Sequence, residues 1–127
     1  MTAPTLACLQ TARALVDRAW ANQAAYDDTL REAAALLDAE RLRHPHDVAV
    51  LTCLGAVLCD LQQHAQAREY LEQAVAECAT DRNTHFNLFV ALLGCAAQAK
   101  AQAALKRVEG LEANPATWQA YFDPHAR

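Results

Sequence analysis

An all-α protein of antiparallel helical hairpins stacked side by side is what this sequence predicts, on three observations. Apolar residues recur three and four apart along most of the chain, and no alternating run suggests a strand. Good helix formers dominate and glycine is limited to three residues. The third observation is the stretch 47–78. Val48, Leu51, Leu54, Leu58 and Leu61 form one stripe; after Gln62-Gln63-His64 a second runs through Ala67, Tyr70, Leu71, Ala74, Val75 and Cys78. Two helices joined by a short polar turn fit this pattern, with Gly55, Ala67 and Ala74 small enough for close approach. A hairpin this short cannot bury its own apolar sides and must stack on others.

The remaining elements follow in order. Thr2 is a candidate cap and Pro4 suits a first helical turn, opening a helix over 4–22 along Leu6, Leu9, Arg13, Val16 and Trp20. A second helix over 25–43 uses Tyr26, Leu30, Ala33, Leu36 and Leu37, and His44-Pro45 ends it. Asp47 caps the third helix, with His46 the competing boundary; Thr80 or Asp81 caps the fifth, which extends to about Ala97. A sixth helix is expected over 101–113, with a join at 98–100; one long helix is the competing reading because no Gly or Pro marks that join. A last short helix over 117–122 would lay Trp118, Tyr121 and Phe122 on the preceding pair. The organisation is one domain, 1–127, with hairpins over 4–43, 46–78 and 81–113 and a capping segment over 115–123.

Composition narrows the function classes. A net charge of −4 and lysine only at Lys100 and Lys106 argue against a nucleic-acid partner. Five cysteines, Cys8, Cys53, Cys59, Cys78 and Cys95, are an odd number set in apolar helical patterns, as free thiols in a reducing compartment would be. The N-terminus lacks a basic, then apolar, leader pattern, and the apolar run 88–97 is too short for a membrane span. A cytoplasmic protein without membrane insertion is the expectation.

The middle hairpin resembles the tetratricopeptide repeat. Leu51 stands where the family has Trp, Leu54-Gly55 matches its Leu-Gly pair, Leu58 replaces its Tyr, and Ala67, Leu71 and Ala74 match its second helix. Tyr26 to Leu30 with Ala33 resemble the same second helix in the first hairpin. Leu88, Ala91, Leu92 and Cys95, then Ala104, Val108 and Leu111, resemble the third. The matched positions Thr29, Ala67 and Ala104 lie 38 and 37 apart, against the family's repeat of about 34. His44-Pro45 and Asn114-Pro115 resemble the closing proline, which is missing between the second and third hairpins. The resemblance implies a short right-handed solenoid of about three repeats whose first helices line a concave groove. It places Ala14 and Arg18, then Ala49, Thr52, Ala56 and Cys59, then Phe86, Phe89 and Leu93, on that groove. Arg18 alone matches the carboxylate-clamp subset, so a chaperone-tail receptor is not expected.

The fifth helix is apolar on two faces: Phe86, Phe89, Val90 and Leu93 on one, Leu88, Ala91, Leu92 and Cys95 on the other. Either the fourth helix, the sixth and the C-terminal tail cover it, or part of it receives a partner's amphipathic helix or extended apolar segment. Trp118, Tyr121 and Phe122 form a capping face or a secondary interface. Chemistry is poorly signalled. His44, His46 and Asp47 cluster and Cys59 lies near His64, but neither set has zinc-site spacing, and CxxC, HExxH and glycine-rich phosphate loops are missing. No catalytic residue, metal or cofactor is therefore assigned. The expectation is a protein-binding adaptor or chaperone, similar to the small repeat-containing chaperones of bacterial type III secretion. A self-associating scaffold domain in a homo- or hetero-oligomer is the alternative, and a thiol- or metal-dependent enzyme the remote one.

Overall fold

The computed structural model describes residues 2–121, which fold into six α-helices with no strand among the described residues. They are α1 (Ala3–Ala21), α2 (Tyr26–Arg43), α3 (Val48–Asp60), α4 (His64–Ala76), α5 (Arg82–Gly94) and α6 (Gln98–Val108), with a 3₁₀ turn at Gln23–Ala25 before α2. Each helix packs on the next in chain order. In addition α3 touches both α1 and α5, so the odd-numbered helices form a continuous row with the even-numbered ones behind. Central in that row, α3 is buried at every position from Ala49 to Asp60.

Capping explains where the odd helices begin. The Thr2 hydroxyl accepts from the Thr5 N–H at 3.2 Å, the Asp47 carboxylate from Ala49 and Val50, and the Asp81 carboxylate from Asn83 at 2.9 Å. Of the two candidates before the fifth helix, Asp81 is the cap. Helices α4 and α6 have no side-chain cap and are entered through tight turns instead. Gln62 and Ala96 take left-handed φ of 62° and 57°, and the following N–H reaches back to Leu58 O at 2.8 Å and Leu92 O at 2.9 Å. Both turns thus have the same hydrogen-bonded form.

Caps Asp47 and Asp81, turn residues Gln62 and Ala96, and first residues His64 and Gln98 are each 34 apart. Ala33, Ala67 and Ala101 keep the same spacing and are all fully buried where paired helices meet. By that spacing Ala67 corresponds to Ala33 and Ala101, whereas the matching read from the sequence pairs it with Thr29 and Ala104, which are buried as well. At Gly55 α3 lies close against α4: a Cβ there would lie 2.5 Å from Leu71 Cγ.

Three boundaries differ from expectation. The break between α5 and α6 falls at 95–97 rather than 98–100, because the left-handed residue is Ala96. Helix α6 stops at Val108, not near Ala113: Gly110 takes φ 79° and the chain continues without helix to Asn114, leaving Leu111 outside. The short helix expected over 117–122 is not formed. Residues 117–121 carry no helical turn, and Phe122 lies outside the described residues.

Candidate functional site

After α6 the chain turns back and crosses the row α5, α3, α1 as a non-helical segment. Its first contacts are with the start of α5. Arg82 N–H donates to Glu112 O at 2.9 Å, and the Arg82 guanidinium reaches Val108 O at 3.2 Å. Asp81, besides capping α5, accepts from Asn114 N–H at 2.9 Å and from the Thr117 hydroxyl at 2.6 Å; Asn83 Nδ2 donates to that hydroxyl at 3.0 Å. One buried carboxylate thus both starts a helix and fixes the segment's approach.

One helical turn on, Asn87 holds the segment's main chain. Its amide donates to Trp118 O at 3.0 Å and to Thr52 O of α3 at 3.2 Å, while its Oδ1 accepts from Ala120 N–H at 2.8 Å. Both amide hydrogens and the oxygen are used, which fixes the orientation of a fully buried side chain. The far side is α1. The Arg13 guanidinium lies 5.9 Å over the Trp118 ring and reaches Thr117 O at 3.5 Å; Tyr121 OH donates to Asp17 at 2.6 Å, its ring 5.7 Å from Trp20. Trp118 is 2 % exposed, its indole Nε1 without an acceptor among the described residues. Beside it a hollow of about 480 Å³ remains open, lined by Leu6, Leu9, Gln10, Arg13, Pro115 and Ala116.

The residues expected on the groove separate into three environments. Ala49, Thr52, Ala56 and Cys59 are buried: Thr52 Oγ1 lies 2.6 Å from Thr84 Oγ1, and the Cys59 thiol points to Asn87 O at 3.8 Å. Phe86, Phe89 and Leu93 are half-buried on another flank of α5, the two rings 5.9 Å apart. Ala14 and Arg18 are exposed on α1. They do not share one open surface. Trp118 and Tyr121 lie against α1 and α5 rather than over the α5–α6 pair.

Sequence reasoning missed Asp17, Asn83 and Asn87. A signal was present: two asparagines four apart, on one face of a helix whose last two turns are apolar, need a polar partner there. Burial pushes the Cys53 and Cys59 thiols up, away from the thiolate that nucleophilic or metal chemistry needs. His46 pairs with Glu77 at 2.8 Å and His44 with Glu40 at 3.5 Å. No group of three His, Cys, Asp or Glu suited to a metal occurs among the described residues. None of the described helices is long and apolar enough to cross a membrane.

Comparison with protein-family models, with curated proteins and with solved structures finds no match to this chain. Its likeness to tetratricopeptide repeats stands on the residues and the helical layout alone.

Proposed function

We propose that this protein is an adaptor or chaperone that holds an extended apolar segment of a partner protein across α1, α3 and α5, and performs no chemistry of its own. The observation that carries this is Asn87, whose side-chain amide hydrogen-bonds a non-helical main chain from both its donor and its acceptor side. Such a group recognises any extended peptide by its backbone, while the pocket beside it selects an aromatic anchor. Only the chain's own segment occupies that place here, and another chain offers the same main-chain groups. The 34-residue spacing of caps and turns supports a short right-handed tetratricopeptide-like array with its concave side at the odd-numbered helices. Among such proteins, the small type III secretion chaperones of the cytoplasm are the class this reading favours.

Site-specific photo-crosslinking in cells tests it. A photoreactive residue at Gln10, beside the groove, should capture a discrete partner through an apolar stretch mapped by mass spectrometry. The same residue at Glu69, exposed on α4, should not. Identical products from both positions, or products only within the chain from position 10, count against the proposal.

A further inference from the structure

The segment that fills the groove also describes what fits there. Read along the chain it offers Ala116, the hydroxyl of Thr117 on Asp81 and Asn83, the buried ring of Trp118 under Arg13, Gln119 half-buried, and Ala120 against Asn87. Thr117, Trp118 and Ala120 are well matched. Ala116 is not, because it borders the open apolar hollow between Leu6, Leu9 and Pro115, and Leu6 is left 38 % exposed. A methyl group stands where a larger side chain would cover Leu6.

We infer that the groove is a site for an extended partner segment of the order large apolar, Thr or Ser, Trp, any residue, Ala, and that residues 116–120 are its weaker internal copy. The inference rests on the adaptor reading and names that partner's chemistry. Exchange leaves every helix intact, since the segment belongs to none, and each main-chain bond lost to Asn87 is replaced by an equivalent one. The gain comes from the residue in the hollow, whose apolar surface leaves water together with that of Leu6. The stand-in thus keeps the groove covered until a better-fitting chain arrives.

Two labelled peptides test this by fluorescence polarisation: Asn-Pro-Ala-Thr-Trp-Gln-Ala-Tyr, the internal order, and the same peptide with Leu at its third position. They are titrated into the full chain, into Trp118→Ala, whose own anchor is missing, and into Thr117→Val, which keeps the ring but loses the Asp81 contact. Trp118→Ala should bind the Leu peptide about fivefold tighter than the Ala peptide, and about tenfold tighter than the parent chain does. Ala116→Leu in the chain should melt later than the parent and bind the Leu peptide more weakly, since its own segment now fills the hollow. If Trp118→Ala has lost its helical circular dichroism, Thr117→Val carries the same comparison. Equal affinity for the two peptides, no binding by a folded variant, or a parent chain eluting as a dimer with exchanged segments would overturn the inference. A crosslinked partner whose captured stretch lacks this order would also overturn it and leave the adaptor reading standing.

Discussion

Tyr26 shows how one side chain ties the end of one hairpin to the next. Its ring meets Trp20 edge-on at 5.0 Å, and its hydroxyl donates to Asp60 O at 3.1 Å. Burial, then the negative charges of Asp60 and Asp27, push its phenol up to about 12. The sign follows from linkage. The folded chain keeps this proton over a range where the unfolded chain, titrating near 10, has lost it. The contribution is therefore complete below pH 10 and is lost as pH rises through about 12. Thermal melts should fall in midpoint over that window, and Tyr26→Phe should fall less, each measured against its own value at pH 9. Tyr121, raised by burial and by its bond to Asp17, moves in the same direction, so some decline remains in the variant. An unchanged slope in Tyr26→Phe would remove Tyr26 from this account.

At the scale of the element, α3 and α4 approach because Gly55 has no side chain. Glycine inside a helix costs about 1 kcal/mol relative to alanine, so propensity alone would favour replacement. Packing opposes it: an added Cβ would lie 2.5–2.8 Å from three carbons of the buried Leu71 side chain. Leu71 is fully buried and has little room to move aside. Steric conflict begins with the first methyl group and grows with a branched side chain. Gly55→Val should lower stability by about 1–3 kcal/mol in urea denaturation, with the same slope if the fold is retained. A value at or above the parent's would show that the two helices can separate at little cost. In the third hairpin the equivalent position is Phe89, and Leu105, where Leu71 stands in the second, is 41 % exposed.

For the whole molecule, the five thiols report which layers are closed. Cys53 and Cys59 are fully buried in α3, whereas Cys78 is exposed at the turn before α5. The Trp118 main chain acts on the Cys53 thiol, lowering it against the larger upward push of burial, so the segment reaches that residue. Cys59 lies instead against α5, pointing to Asn87 O. With a thiol-reactive disulfide under native conditions, Cys78 should react first, with Cys53 and Cys59 protected until the fold opens. Trp118→Ala should expose Cys53 by about tenfold in rate and leave Cys59 slow, followed residue by residue in peptide maps. Equal acceleration of both would mean that the substitution loosens α3 and α5 together, not just the segment's hold.

The residues by themselves determined the helices and most of their ends. Periodicity of three and four, His44-Pro45, and the side chains of Thr2, Asp47 and Asp81 act within a few residues of the chain, so their consequences are local and readable. Gly55 and Ala67 were equally legible, because small residues inside an apolar stripe signal close helix approach. Tertiary structure decided the rest. The spacing of 34 that relates Ala33, Ala67 and Ala101 emerged once the caps and turns of the helices were placed. The groove depended on where a segment with no periodicity of its own would lie. Ala49, Thr52, Ala56 and Cys59 lie in the row the segment crosses, yet nothing local to α3 records that α5 and residues 117–120 close over it. That covering comes from Asp81, Asn83 and Asn87 meeting residues more than thirty positions later in the chain. Hydrogen bonds over such separations leave no periodic trace; they exist once the helices have stacked and brought those groups together.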